Sequence, residues 1–298
     1  MPRKDSMDAF GAASLIGIAV ILAVNQVVIK LGNQGVGPVF MAGLRSLLAL
    51  IVLLVWMRIR GIRFAIVARS VPAGLLLGAL FTVEFIFLFL ALDLTTVART
   101  SILFYSMPVW LTLAAHFLLP GERMGRLKLI GLALAFAGVV VALLDRDGGG
   151  QASLLGDLLG LGAALAWGAI ALAARTLPIQ HEAPEMQLFW QLSVSAVLLT
   201  LLAPLFGPLL REPTLFHLGL LLYQSLFVAS FGFLFWFHLL MTYPASSVAS
   251  FSFLTPILGV LLGWGLLGED VGWEILAAMV LVAVGITLIN RPAKGRPR

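Results

Sequence analysis

Two ionisable residues lie deep inside hydrophobic stretches of this chain. Arg45 is about seven residues from one end of the apolar segment 38–57, and Glu84 is about eight residues from one end of segment 71–92. A charge in the middle of a membrane-spanning helix costs about 2.5–3.5 kcal/mol on insertion scales, so such residues are usually functional. At about 1.5 Å of rise per residue, both lie roughly 11–12 Å below one membrane surface. We expect them to meet as an ion pair in a gate, or Glu84 to line a path while Arg45 reaches backbone carbonyls; a static structural pair is the alternative.

Further polar groups stand near this depth in segments 10–30, 96–119 and 244–267. Several recur at helical spacing along one face, and in a bilayer such a face turns to protein or water rather than to acyl chains. Aromatic side chains nearby would add apolar walls. The expected substrate pathway is formed by Asn25, Gln26, Glu84, Phe85, Ser101, Tyr105, Trp167, Phe233 and Ser252. These walls suit a small neutral or zwitterionic molecule with an apolar side chain, and they suit a phosphorylated sugar poorly because no basic cluster lies at depth.

Two prolines, Pro108 and Pro256, occupy the middle of segments 96–119 and 244–267. Each removes one backbone hydrogen bond, so we expect each to kink its helix near the middle of the membrane. Paired kinks could serve two halves that rock around a central site, or they could only shape the fold.

Composition indicates the class of protein that must position these residues. Hydrophobic residues make up 61% of the chain and charged residues 11%, whereas soluble domains have about 45–50% and about 25%. The chain is therefore an integral membrane protein. Its net charge of +5 comes from residues that flank hydrophobic runs, where charges orient membrane helices, so no nucleic-acid partner is expected.

The residues needed for enzymatic or ATP-driven chemistry do not form a recognisable set. The sequence has no cysteine and no Gly-x-x-x-x-Gly-Lys-Ser/Thr loop. Its four histidines do not have the spacing of metal ligands. We therefore expect no metal, no cofactor and no catalytic residue.

Ten apolar segments are long enough to cross a bilayer at roughly 20 residues each. The strands of a barrel would instead alternate over about ten residues, so the predicted fold is all-α, with ten transmembrane helices. The segments are 10–30, 38–57, 71–92, 96–119, 127–144, 153–174, 185–206, 214–240, 244–267 and 271–290. Of the 19 lysines and arginines, 14 fall on the side of the membrane that holds both termini. This bias places both termini in the cytoplasm, and the long first apolar run disfavours a cleaved signal peptide at residues 1–23.

The chain contains one stretch twice. Residues 85–138 and 233–285 share a phenylalanine triplet, a proline, a Gly-Glu pair and a later glycine, at an offset of 148 that becomes 147 from Gly121 onward. With five segments per copy, the second copy enters the membrane from the opposite side, which predicts inverted repeats at residues 1–147 and 148–298. The charges agree, because the loop after Gly121 is basic whereas the loop after Gly268 has no basic residue.

These motifs resemble the EamA family of the drug/metabolite transporter superfamily over nearly the whole chain. The matching pieces are Leu118-Leu119-Pro120-Gly121-Glu122 with Gly131 and Gly138, Leu266-Leu267-Gly268-Glu269 with Gly285, and Leu165-Ala166-Trp167-Gly168. The first half departs from the family where Val24 and Asn25 replace the Trp-Gly pair, so the role of that tryptophan does not carry over. The resemblance implies a secondary transporter of the bacterial inner membrane that works by alternating access. Within the family, the sequence is most similar to exporters of aromatic and other neutral amino acids.

Two classes of function stay open at this point. The first is export of amino acids and related small metabolites, with a broad drug or nucleotide-sugar carrier as the alternative substrate class. The second is a non-transporting membrane helix bundle or an intramembrane enzyme. The expected partners are a small-molecule substrate and the lipid bilayer, with no obligate protein partner. Proton coupling stays open and would be one-sided, because Gln191 and Gly232 hold the positions that match Arg45 and Glu84 in the second copy.

Overall fold

A computed structural model describes residues 8–119, 124–145, 153–232, 235–236, 239, 242–243, 251 and 253–290. Throughout these residues the regular structure is helical, apart from one isolated antiparallel bridge between Val36 and Leu210. The α-helices, numbered in chain order, are α1 Ala9–Gly35, α2 Pro38–Ile59, α3 Val71–Leu94, α4 Val97–Phe104, α5 Met107–Leu118, α6 Arg126–Leu144, α7 Leu154–Thr176, α8 Pro184–Leu202, α9 Leu215–Leu222, α10 Leu254–Leu267 and α11 Trp273–Asn290. The other helical elements are 3-10 turns at Ala68–Ser70, Pro178–His181 and Ala203–Phe206 and a π-helical stretch at Tyr223–Gly232.

Nine helical stretches in the described part of the chain are long and apolar enough to cross a membrane. They correspond to nine of the ten predicted segments, and α10 is a shorter apolar helix of 14 residues. The structure does not describe residues 244–250 and 252 at the start of segment 244–267. A tenth transmembrane helix there therefore stays a prediction. The predicted class, an all-α multi-pass membrane protein, is confirmed.

The segment predicted as one helix over 96–119 consists of two helices, α4 and α5, with a turn at Tyr105 and Ser106 between them. Pro108, the second residue of α5, cannot donate to the carbonyl of Phe104, and its ring would clash with that carbonyl in a continuous helix. The Ser106 hydroxyl donates to the Leu103 carbonyl at 2.6 Å. Side-chain bonds of this kind make broken helices tolerable inside a membrane. The chain therefore turns at the place where the proline predicted a kink.

Segment 214–240 departs from a regular α-helix. After α9 the backbone widens into π-helical turns over Tyr223–Gly232. Ser225 donates to the Leu221 carbonyl at 2.8 Å, and Ser230 donates to the Ser225 carbonyl at 2.7 Å. Gln224, near the start of this stretch, is completely buried. Nothing in the residue pattern predicted this widening, although π-helical turns recur at functional sites.

Glycines allow the closest helix contacts. The helix α6 packs along α11, where a Cβ atom at Gly131 would meet the Gly285 carbonyl and a Cβ atom at Gly285 would meet the Gly131 carbonyl. The helix α3 packs along α8, where Gly74 lies against the Trp190 ring. Without a hydrophobic driving force between helices in lipid, such close packing is a main source of association. These contacts hold α6 against α11 and α3 against α8.

Candidate functional site

Arg45 lies inside the helix bundle rather than at its surface. Its side chain extends from the first half of α2 and is 2% exposed. The Cζ atom lies 4.3 Å from the centroid of the Phe85 ring on α3. A guanidinium over an aromatic face is attracted by the ring, and more strongly so away from water. The Nε atom has no hydrogen-bond partner among the described residues, so Arg45 keeps a donor for a further group.

Glu84 precedes Phe85 on α3 and is 4% exposed. Its Oε2 atom also has no partner in the part of the chain that the structure describes. The charges of Glu84 and Arg45 are close enough to act on each other. Between described residues, however, the ion pairs at 4.0 Å or less do not include this pair. The structure therefore brings both residues into one region without direct contact, and a gate made of them stays a prediction.

Tyr105 and Trp167 bring aromatic surface to the same region. Their ring centroids are 6.1 Å apart. The Tyr105 hydroxyl donates to the Leu22 carbonyl of α1 at 3.4 Å. The Gln26 side chain and the Glu84 carboxylate are close enough to act on that hydroxyl. The turn between α4 and α5 thus places Tyr105 near α1 and near Glu84.

Eight more buried side chains carry polar atoms without a hydrogen-bond partner among the described residues. They are Asn25, Gln26, Asn33, Ser46, Ser70, Thr100, Ser101 and Gln224. A buried polar group left unpaired costs roughly 1–3 kcal/mol, and in most proteins a water molecule or a ligand satisfies it. Gln224 was not predicted, and its Nε2 atom lies towards Gly32 of α1. The unpaired groups mark the interior as a place where a polar molecule can bind.

The predicted site residues therefore have three outcomes. The interior brings together Gln26, Arg45, Glu84, Phe85, Tyr105 and Trp167. Asn25 is buried beside Gln26 on α1, and Ser101 lies one turn before Tyr105 on α4. Pro256 is the third residue of α10, where a proline fits the first turn of a helix. Phe233 and Ser252 lie outside the described residues.

The arrangement can recognise a small molecule but does not resemble a catalytic site. One carboxylate, one guanidinium and several amide groups face a region with aromatic walls. A guanidinium binds a carboxylate through charge-assisted hydrogen bonds, and carboxylate and amide oxygens accept from an ammonium group. Within the described residues, no group of three or more metal-ligating side chains is assembled.

Comparison with known proteins decides the family. A model described as the EamA-like transporter family matches residues 9–144 and, a second time, residues 154–291. The chain belongs to the EamA-like transporter family. An uncharacterized transporter of Bacillus subtilis, YoaV, is 27% identical over 91% of this chain and 94% of its own length. Probable amino-acid metabolite efflux pumps of Salmonella typhimurium and Escherichia coli are 29% and 28% identical, each over 96% of this chain and 94% of its own length.

A solved structure agrees with this assignment at the level of the fold. This crystal structure superposes on the chain with a TM-score of 0.65 and 21% sequence identity, and the match covers 93% of this chain and 96% of the chain in the crystal structure. Because the chain belongs to the EamA-like transporter family, the protein is a multi-pass membrane transporter and not an enzyme. This result removes the intramembrane-enzyme and structural-bundle alternatives.

The EamA-like chain also holds a charged cluster that the sequence did not reveal as a site. Arg99, on α4, is 2% exposed and bridges two carboxylates, Asp145 at 2.8 Å and Asp157 at 2.7 Å. It also donates to the backbone carbonyls of Ala142 and Asp145. The Thr95 hydroxyl donates to Asp157 at 2.9 Å. The cluster ties the start of α4 to the end of α6 and the start of α7.

A second polar link joins helix ends on the same face of the bundle. Arg211, between α8 and α9, donates to the two carboxylate oxygens of Asp93 at 2.7 and 2.8 Å and to the Asn33 carbonyl at 2.8 Å. These hydrogen bonds to Asp93 hold the pKa of Arg211 above its ordinary value, so the Arg211 guanidinium stays charged at neutral pH. Lys30 donates to the Thr95 carbonyl at 2.6 Å. All these groups belong to the face that the basic-residue bias predicts to be the outer one.

Proposed function

We propose that this protein is a secondary transporter that exports aromatic and other neutral amino acids, and related small metabolites, across the bacterial inner membrane by alternating access. The observation that carries the proposal is the placement of Arg45 and Glu84. Two opposite charges are buried in one region, each keeps an unpaired polar atom, and Phe85 lies against the arginine.

An amino acid presents the groups that complement this region. Its carboxylate suits the Arg45 guanidinium, and its ammonium group suits the Glu84 carboxylate and the unpaired amide oxygen of Gln26. Both protein charges are already away from water, so a zwitterion that neutralises both is favoured over an ion that neutralises one. The rings of Phe85, Tyr105 and Trp167 offer apolar surface to the substrate side chain.

The relatives support the substrate class and the direction. Two of them are named as probable amino-acid metabolite efflux pumps. The resemblance to inner-membrane exporters supports the location. We infer that a bound zwitterion lies between Arg45 and Glu84 and contacts both.

The proposed mechanism uses ten transmembrane helices in two inverted five-helix repeats, residues 1–147 and 148–298, with both termini in the cytoplasm. The family model supports this division because it matches once within each half. Inverted repeats bind substrate at their interface and expose it alternately to the two sides. Asn25, Ser101, Phe233 and Ser252 extend the path from the central region in this proposal, and the break before Pro108 and a kink at Pro256 allow the helices to bend around it.

Counterflow of labelled phenylalanine, methionine and threonine in proteoliposomes tests the function. We expect exchange in the parent protein and its loss in Glu84→Gln and in Arg45→Gln. Glu212→Gln, which changes an exposed carboxylate between α8 and α9, is the matched control and should exchange normally. Indifference to all three amino acids refutes the substrate class, and exchange of a drug or a nucleotide sugar in their place favours the other carrier. The same assay with and without a pH gradient tests proton coupling.

A further inference from the structure

Gly268 and Glu269, the second copy of the repeated Gly-Glu pair, end the helix α10. Gly268 has a φ of 64°, in the left-handed region, and the Glu269 N–H donates to the Gly263 carbonyl at 3.1 Å. Glycine ends a helix in this way because it has no Cβ atom to clash with the backbone. The turn leads directly into Glu269, whose side chain is buried at 4% exposure.

The Glu269 carboxylate caps a helix that is far away in the sequence. Oε1 accepts from the Val97 N–H at 2.6 Å, and Oε2 accepts from the Ala98 N–H at 2.9 Å. The first N–H groups of a helix have no partner within it, and a negative charge at this end is favourable. Lys30 places a positive charge close enough to act on Glu269. One side chain of the second proposed half thus holds the start of α4 in the first.

Two glycines of α10 bring it into backbone contact with α4 beside this carboxylate. A Cβ atom at Gly263 would meet the Glu269 carboxylate and the Ala98 nitrogen, and a Cβ atom at Gly259 would meet the Ser101 side chain. Ser101 belongs to the expected pathway, and Tyr105 follows it by one turn. The contact between α4 and α10 therefore lies between the candidate site and the face that holds the start of α4 and the end of α10.

The opposite side of α4 is held differently. Arg99 ties the same turn to α6 and α7 through two carboxylates and two carbonyls. On the side of α10, the start of α4 makes two described hydrogen bonds, both to Glu269. Gly259 and Gly263 of α10 pack against the same part of α4. A path that opens on the predicted outer face requires α4 to separate from a neighbouring helix. Fewer charged contacts join α4 to α10 than join it to α6 and α7, so we expect α4 to separate from α10.

We propose that Glu269 is the outer latch of the transport cycle. Its carboxylate holds α10 and the following loop against the start of α4 while the outer path is closed, and it releases Val97 and Ala98 when the path opens. The latch rests on the proposed function, because it assumes alternating access and a cytoplasmic N-terminus. Glu122 holds the equivalent place in the first copy at the offset of 147 and lies outside the described residues. Since the repeats are inverted, a Glu122 variant should not open the outer face.

The absence of cysteine from the sequence makes labelling a direct test. Ser101→Cys places one thiol in the pathway, at the inner end of the contact between α4 and α10, and a membrane-impermeant maleimide reports its exposure to the outside. We expect Glu269→Gln to raise the rate of labelling from outside about tenfold, because the amide can accept from only one of the two N–H groups and has no charge. Asp270→Asn, at the exposed neighbouring carboxylate, and Glu122→Gln should leave that rate unchanged.

A second pair of variants tests the same contact without a change of charge. Gly263→Ala should raise labelling from outside because its methyl group displaces the Glu269 carboxylate and the start of α4. Gly265→Ala is the matched control, because a Cβ atom there meets nothing within 4 Å. If Glu269→Gln does not fold, the comparison of Gly263→Ala with Gly265→Ala tests the latch instead.

The latch is refuted if folded Glu269→Gln or Gly263→Ala labels from outside at the parent rate, or if labelling rises only from the cytoplasmic side. Labelling needs no substrate, so its failure can be told apart from failure of the proposed function. Normal amino-acid counterflow with unchanged labelling removes the latch alone. If Glu269→Gln raises labelling about tenfold but the parent protein shows no amino-acid counterflow, the proposed substrate is refuted and the latch is supported.

Discussion

The Nε atom of Arg99 lies 3.1 Å from each of the two carboxylate oxygens of Asp157. The Nη2 atom donates to Oδ2 of the same carboxylate at 2.7 Å, so the side edge of the guanidinium faces the carboxylate in a bidentate contact that adds geometric specificity to the attraction. Both side chains are buried, so water cannot replace either partner. Burying two charges is costly, but removing one partner costs more because the other then stays unpaired in the interior. The contact thus makes the position of α4 dependent on the start of α7.

Loss of Arg99 should destabilise the protein severely. Arg99→Ala removes the guanidinium that contacts both buried carboxylates, Asp145 and Asp157, and we expect a loss of about 3–5 kcal/mol. Asp157→Asn should cost less, because Arg99 keeps Asp145. Thermal unfolding in detergent measures the effect. The melting temperature of Glu212→Gln should equal that of the parent, that of Asp157→Asn should be lower, and that of Arg99→Ala should be the lowest. Equal melting of all three variants would contradict a structural role for the cluster.

The sequence could predict the charges in the middle of segments but not those at segment ends. Arg45 and Glu84 stand out because each interrupts an apolar run. Arg99 and Asp157 also meet in the interior, but each lies within a few residues of a connection, where charges are ordinary. Glu269 was visible as part of a repeat, yet its contacts with Val97 and Ala98 depend on how the two halves pack. Pro108 did predict the break in its segment, because the missing N–H is a local property.

Loss of the Phe85 ring should weaken substrate binding. Phe85→Leu keeps an apolar side chain but removes the aromatic face beneath the Arg45 guanidinium. A cation–π contact contributes about 0.5–2 kcal/mol, so we expect the half-saturation concentration for phenylalanine to rise roughly two- to thirtyfold. Counterflow over a range of substrate concentrations measures this change. The maximal rate should stay close to that of the parent protein.

Phe117→Leu is the control for this prediction. Phe117 ends α5 near the membrane surface and is 75% exposed, so the substitution makes the same chemical change away from the interior. Its half-saturation concentration should equal that of the parent. The prediction is wrong if both variants behave alike, or if Phe85→Leu lowers only the maximal rate.

The contact between α6 and α11 should be sensitive to one methyl group. Gly131→Ala places a Cβ atom against the Gly285 carbonyl and the Leu288 side chain, and overpacking of this kind costs about 1–3 kcal/mol. Gly17→Ala adds the same methyl group to α1, where nothing lies within 4 Å of it, and should keep or raise the melting temperature because alanine favours the helix. Equal melting of the two variants would show that α6 and α11 can separate without loss of stability.

Trp167 should set the preference for aromatic substrates. Its ring centroid lies 4.9 Å from that of Phe104 and 6.1 Å from that of Tyr105, so the three rings form one wall beside the charged residues. Trp167→Ala removes apolar surface that only a large substrate side chain reaches. Each aromatic contact contributes about 0.5–1.5 kcal/mol beyond its buried area, so we expect the preference for phenylalanine over threonine to fall about tenfold, with threonine exchange little changed. Trp167→Phe should restore most of the preference, and Trp273→Ala, at the exposed start of α11, should not alter it. A parallel fall of phenylalanine and threonine exchange in Trp167→Ala would assign Trp167 to packing and move the aromatic selectivity elsewhere in the bundle.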